Sequence, residues 1–403
     1  MDVKTANDAV ARRIAAMVER IEGMQRRNEY FYNLPVTELR GGSKVVVNGR
    51  EMGMYASYSY LGLVGHPRIN KAAQEAIDRY GTGTHGVRTL AGTLAIHKEL
   101  EETIADFKRA EAAITYTSGY VTNLTVVSTL VGRGDYVFSD KLNHASIVDG
   151  CLMSGAKFRR FRHNDMDALE RMLADTPADA AKLVVADAVF SMDGDIIDLP
   201  RMAALCKKYN AWLMLDEAHS VGVLGKTGRG IEEHFDMWGA VDIKMGTLSK
   251  TIPSVGGYVA GDKALIKFLR HASRAYIFSA ALPPAQAAAA NEAFKVILDE
   301  PWRIEKLNAN ARQFIDGLKA RGFDTMQTET AIVPVLCGDD ETAFALTRYA
   351  HEKGLFVLPV VSPAVPVGLA RLRATVLASH EPDDIEYAMD VIAEAGRQVG
   401  LID

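Results

Sequence analysis

An apolar run closes on a carboxylate in Leu215-Asp216-Glu217-Ala218-His219, and a lysine flanked by hydroxyl side chains ends Gly246-Thr247-Leu248-Ser249-Lys250. An amine that forms an imine with an aldehyde, and an acid that keeps a pyridine nitrogen protonated, are what pyridoxal phosphate (PLP) asks of a protein. The protonated ring then acts as an electron sink for a carbanion beside an amino acid nitrogen. His219, three residues after Asp216, offers a hydrogen bond to the ring's phenolic oxygen. Each residue taken alone has a plainer reading, Lys250 as a solvated surface lysine and Asp216 as a turn residue or helix cap, because isolated motifs recur by chance. What decides between the readings is where such residues fall relative to the elements that carry them.

Short apolar runs alternate with helical periodicity along most of the chain, the pattern of βαβ units around a mostly parallel, buried sheet. The patterning predicts strands at 112–116, 136–138, 182–186, 211–215, 241–245 and 257–260, with helices at 97–107, 123–130, 166–173 and 201–209. In such sheets ligands bind beyond the carboxyl ends of the strands. Ser118-Gly119-Tyr120 follows the first strand and opens a helix, whose N–H groups and dipole suit a phosphate. Asn143-His144-Ala145-Ser146 follows the second, Ser191 the third, Asp216 closes the fourth and Lys250 follows the fifth. A Ser-Gly turn is also a common cap, and a histidine such as His144 near a helix start is often a cap or core residue. Convergence on one edge is what favours chemistry.

Composition sets the outer limits. A chain of 403 residues, 48% hydrophobic and 24% charged, has room for two lobes. The formal net charge of −5 gives no footprint for nucleic acid. Cys151, Cys206 and Cys337 are scattered, with no Cys-x-x-Cys pair, which fits a reducing cytoplasm better than a disulfide framework or a zinc site. Residues 1–27 carry charges of both signs and no apolar core of a secretory signal, and no stretch is long and apolar enough to span a bilayer. The Arg12-Arg13 and Arg26-Arg27 pairs leave peripheral lipid contact open. After a break at Asp299-Glu300-Pro301-Trp302, alternation resumes with strands expected at 333–336 and 356–358, so the last quarter reads as a smaller domain.

In their order, Ser-Gly-Tyr, Asn-His-Ala-Ser, Val-Phe-Ser-Met-Asp-Gly-Asp, Asp-Glu-Ala-His and Gly-Thr-Leu-Ser-Lys resemble the α-oxoamine synthases, from about Tyr55 to the C-terminus. The resemblance implies a fold-type I PLP-dependent transferase. It also implies an N-terminal helix and arm (1–55), a large PLP-binding domain (56–295), a small C-terminal α/β domain (296–403), and a homodimer with shared active sites. By position it makes Lys250 the imine-forming lysine, Asp216 the partner of the pyridine nitrogen, His219 the neighbour of the phenolic oxygen and His144 the residue stacked on the ring. Ser191 becomes a cofactor contact, and Ser118, Gly119, Tyr120 and Thr247 phosphate ligands, joined by Ser279 from the second subunit. Arg371 is expected to grip the amino acid carboxylate.

The family's glycine users carry Ser-Asn-Asp-Tyr-Leu-Gly where this chain has Ser57-Tyr58-Ser59-Tyr60-Leu61-Gly62. Tyr58 thus stands at a substrate-contacting Asn, as in serine palmitoyltransferases, although those usually have Asn where this chain has Ser59. Asp187 stands where biotin-pathway members have Glu. The implied reaction is decarboxylative condensation of a small amino acid (serine, then alanine or glycine) with an acyl thioester on CoA or a carrier protein. An 8-amino-7-oxononanoate synthase or 2-amino-3-ketobutyrate CoA ligase activity is the alternative. An aldolase or aminotransferase on the same fold would use the same Lys and Asp. A catalytically silent partner subunit is a reading of another kind, but such subunits tend to lose the lysine that is present here.

Overall fold

The computed structural model describes residues 8–403, so the first seven residues of the 1–55 arm lie outside it. Helix α1 (Ala9–Arg26) is capped by the Asp8 carboxylate and leads to a meander of β1 (Val36–Arg40), β2 (Lys44–Val47) and β3 (Arg50–Met54). Then follow α2 (Pro67–Tyr80), α3 (Ala95–Phe107), β4 (Ala112–Tyr116), α4 (Gly119–Leu130), β5 (Tyr136–Asp140), α5 (Ala145–Ser154), β6 (Lys157–Phe161) and α6 (Met166–Ala174). The middle of the chain forms β7 (Lys182–Asp187), α7 (Leu199–Lys208), β8 (Trp212–Asp216), α8 (Ile231–Phe235), β9 (Ile243–Thr247) and β10 (Gly257–Gly261). Four helices come next: α9 (Lys263–Ala272), α10 (Arg274–Phe278), α11 (Pro284–Asp299) and α12 (Trp302–Ala320). The chain closes with β11 (Ile332–Gly338), α13 (Asp340–Glu352), β12 (Leu355–Phe356), β13 (Leu358–Val360), β14 (Ala370–Thr375) and α14 (Pro382–Gln398).

A seven-stranded sheet in the order β4-β10-β9-β8-β7-β5-β6 forms the centre, parallel except for β10, which runs antiparallel to both neighbours. Both faces are covered by helices, so its central strands are apolar on both sides. Val184 and Ala186 of β7 and Leu213 and Leu215 of β8 join the core on one face; Leu183, Val185 and Met214 join the core on the other. Burying each large aliphatic chain here contributes roughly 1.5–3 kcal/mol, which holds the strand ends, and what they carry, in fixed register.

A second core is built from β11, β13, β14, α13 and α14, and it includes Tyr55, Phe31 and Met24 from the N-terminal segment. Residue 296 falls inside α11, whose buried residues belong to the large core. Core membership changes along α12: Ile304, Leu307 and Ala311 sit in the large core, Phe314, Ile315 and Leu318 in the small one. The strand expected at 356–358 divides between two sheets. Phe356 pairs with Met54 of β3, while Leu358 pairs with Arg373 of β14.

Candidate active site

Strands β4, β5, β7, β8 and β9 end around one cavity of about 260 Å³. Its walls carry Ser118, Gly119, Tyr120, His144, Ser191, Asp216, His219, Thr247 and Lys250, nine residues singled out in the sequence. At the start of α4 the Ser118 hydroxyl accepts the Val121 N–H, and the first N–H groups of the helix have no partner within it. A Cβ on Gly119 would lie 2.9 Å from Thr247 Oγ1, so glycine is what lets this helix end approach the Thr247 hydroxyl. Thr247 Oγ1 lies 2.8 Å from Ser249 Oγ. Helix N–H groups and paired hydroxyls form a donor cluster suited to a phosphate.

Asp216, at the end of β8, is held from two sides. Its Oδ2 accepts from Asn123 Nδ2 at 2.6 Å and its Oδ1 from the Ala218 N–H at 2.8 Å. Asn123 was not singled out in the sequence because it lies one turn inside α4, where a buried amide leaves no pattern. Asp187 is Asp216's register partner on β7. Burial, reinforced by the Asp216 charge, pushes the Asp187 carboxyl well up. Asp187 Oδ2 also accepts the His144 N–H at 3.0 Å. His144 caps α5 through Nδ1, which receives the Ser146 N–H at 3.3 Å, and burial lowers its pKa. Its capping role and its place on the cavity wall coexist.

Lys250 Nζ lies 2.8 Å from His219 Nε2, and His219 Nδ1 lies 2.5 Å from the Tyr60 hydroxyl. Burial, then the Lys250 and Arg373 charges, drives His219 well below its usual pKa, so the ring is neutral. Tyr60 is pushed up by burial and keeps its proton, against the lowering effect of Arg373. Burial also lowers Lys250 to about 8, although the Asp216 and Asp187 charges oppose the shift. Only the unprotonated amine adds to an aldehyde. The rate at which PLP attaches to cofactor-free protein should therefore climb with pH up to about 8 and level off above it. Stopped-flow absorbance across that range checks this; a rate still rising steeply to pH 10 would show an unperturbed lysine.

Lys250 and Ser249 also wall a second cavity of about 420 Å³, lined by Tyr58 and by residues of α2 and α11. The Tyr58 ring lies 5.6 Å from Lys250 Nζ and 5.0 Å from the Arg373 guanidinium carbon. Arg371 stands apart from the other expected site residues and lines neither cavity. Its side chain is 2% exposed and committed to Asp193 Oδ1 at 2.8 Å, with further bonds to the Met192 and Leu369 carbonyls. The guanidinium that touches the cavity-wall residues Tyr58 and Ser191 is that of Arg373, whose Nε donates to the Ser191 carbonyl at 2.7 Å and Nη1 to Thr375 Oγ1 at 2.8 Å. Its Nη2 is buried and makes no hydrogen bond among the described residues. The two arginines are two residues apart on one strand and share a face, so spacing alone does not tell them apart. Ser279 follows α10 and does not line the cavity of its own chain.

A phosphate cradle at α4, a fixed carboxylate at the end of β8 and a depressed lysine amine fit PLP, and with this sheet they define a fold-type I PLP-dependent transferase. The family model for aminotransferase class I and II matches residues 54–392. The 8-amino-7-oxononanoate synthase of Geobacter sulfurreducens is 46% identical over 90% of this chain and 93% of its own. That of Thermoanaerobacter pseudethanolicus is 43% identical over 95% and 97%. A serine palmitoyltransferase of S. paucimobilis, solved with bound PLP and myriocin, superposes with a TM-score of 0.95 at 35% identity, covering 98% of this chain and all of that one. The chain belongs to the aminotransferase class I and II family and, within it, to the α-oxoamine synthases, which are PLP-dependent acyltransferases.

Proposed function

We propose that the chain joins alanine to a dicarboxylic acyl thioester as an 8-amino-7-oxononanoate synthase. The reading rests on one juxtaposition: the Lys250 amine stands between the Asp216 cavity and a second cavity while the Arg373 guanidinium keeps a free edge nearby. The relatives' name supplies the chain length. A nine-carbon acid with a ketone at carbon seven and an amine at carbon eight is what alanine yields when it loses CO₂ and takes up a seven-carbon diacid acyl group. Serine with a long acyl chain is the second reading, favoured by Tyr58 and by the serine palmitoyltransferase likeness; the higher identity to the synthases supports the first.

PLP bound here supplies the electron sink. Arg373 holds the amino acid carboxylate through paired, charge-assisted hydrogen bonds. Asp216 keeps the pyridine nitrogen protonated, and neutral His219 hydrogen-bonds without adding charge. Lys250, as free base, takes the Cα proton. Cα then bonds to the acyl carbon as the C–S bond breaks, and the sulfur leaves as a thiolate that takes its proton from solvent. The carboxylate departs as CO₂, and Lys250 returns its proton to Cα. A homodimer completes the site, with Ser279 of a second copy added to the phosphate cradle; Ser279 follows Phe278, which is 72% exposed. Among the described residues no helix is long and apolar enough to cross a membrane, and the three buried, unpaired cysteines suit a cytoplasmic enzyme.

Mixing holoenzyme with alanine and heptanedioyl-CoA should release CO₂ and free thiol in equal amounts, well above the rate with serine and hexadecanoyl-CoA. The reverse preference would replace the first reading by the second. Transamination without CO₂ would remove both. Repeating the assay with the acyl group on a carrier protein identifies the donor.

A further inference from the structure

The segment 190–195 passes between the two cores and forms part of the cavity wall through Ser191. It is fixed from both sides. Toward the large core, Asp195 Oδ2 lies 2.8 Å from His163 Nε2, whose Nδ1 lies 3.2 Å from Asp140 Oδ1. Toward the small core, the Gly194 carbonyl accepts from Thr330 Oγ1 at 3.0 Å and from the Glu329 N–H at 3.2 Å. Gly194 has φ +75°, and a Cβ there would fall 2.2 Å from the Ile332 carbonyl, so only glycine seats the turn this closely.

Onto this strap β14 projects two guanidiniums with different fates. Arg371 is charge-paired with the Asp193 carboxylate and also donates to the Met192 and Leu369 carbonyls. Arg373 meets the Ser191 carbonyl, Thr375 and the Tyr58 and Tyr60 side chains but no carboxylate among the described residues, and its Nη2 has no hydrogen-bond partner there. A buried cation without an anion is strongly disfavoured. Asp193 therefore does two things at once. It neutralises Arg371, and by fixing the residues next to Ser191 it fixes the carbonyl that aims Arg373.

We infer that Asp193, acting through Arg371, is a positioning residue that selects Arg373 as the receptor for the amino acid carboxylate. The inference rests on the proposed amino acid chemistry. Without the Asp193–Arg371 pair, the Ser191 carbonyl loses its anchor and no longer aims the Arg373 guanidinium. Recognition of the carboxylate then suffers, while recognition of the amine does not.

The test is spectral titration of the holoenzyme with L-alanine and, separately, with ethylamine, its counterpart without a carboxylate. Asp193→Asn should weaken alanine binding about tenfold, the scale of one charge-assisted hydrogen bond, and leave ethylamine within about twofold. Arg371→Gln, which keeps a donor toward Leu369, should behave alike. The double variant should be no worse than either single one, since both remove one pair. Equal losses for alanine and ethylamine, additive losses in the double variant, or unchanged alanine binding would each overturn the assignment. If Asp193→Asn does not fold, Arg371→Gln alone gives the alanine-to-ethylamine ratio that decides. An unmodified holoenzyme that responds to no amino acid overturns the functional reading itself, a result distinct from a normal response that the variants leave unchanged.

Discussion

Replacing Lys250 with Ala should leave a protein that folds and takes up PLP without holding it covalently. Its side chain makes one hydrogen bond, to His219 Nε2, and lies between two cavities, so truncation removes little packing. The Asp216 carboxylate and the α4 cradle remain to retain the cofactor. Borohydride should then trap no cofactor on the chain. Turnover should fall by about a thousandfold or more, because the variant lacks both the amine that forms the imine and the base that moves the Cα proton, a role worth 10²–10⁴ by itself. Mass spectrometry after reduction and the CO₂ assay read the two losses separately. A variant that kept full activity would dismiss Lys250 as the central amine.

Arg373→Leu should produce the second-largest effect, and a selective one. Removing one partner of a buried, charge-assisted pair costs about 2–5 kcal/mol, or roughly thirtyfold to several thousandfold at the level of kcat/KM. Most of it should appear in KM for the amino acid, with KM for the thioester little changed. Arg371→Leu should act differently: it strands Asp193 and lowers the melting temperature, with a smaller loss of amino acid affinity. If Arg371→Leu instead produced the larger loss in kcat/KM, the earlier expectation for Arg371 would be restored.

The large sheet was legible because its strands are buried on both faces and so read as apolar runs: 112–116 coincides with β4, and the others lie within a few residues of β5, β7, β8, β9 and β10. The charged edge strand was not. β6, Lys-Phe-Arg-Arg-Phe, carries charge along an exposed rim and gives no such run. The β1–β3 meander escaped notice although Asn48-Gly49 marks a tight turn, with both residues at positive φ; its parallel partner, β12, lies some three hundred residues along. Candidate site residues that end strands could be picked out by position, and they line one cavity. Those that act by supporting others, Asn123 under Asp216 and Tyr60 under His219, were missed, because support is a property of three-dimensional neighbours. Arg371 and Arg373 mark the limit most sharply: same type, same strand face, distinguished only by whether a carboxylate waits opposite.

Helix α12 belongs to two interiors at once, its first half seated in the large core and its second in the small one, with Asn310 Nδ2 between them donating to the Leu377 and His380 carbonyls. A single rod shared in this way ties the fate of either lobe to the other. Neither can melt while the other stays intact without fraying the same nineteen-residue helix. Calorimetry should accordingly record one heat-absorption peak for the pair, and a proline placed at Arg312 should divide it into two.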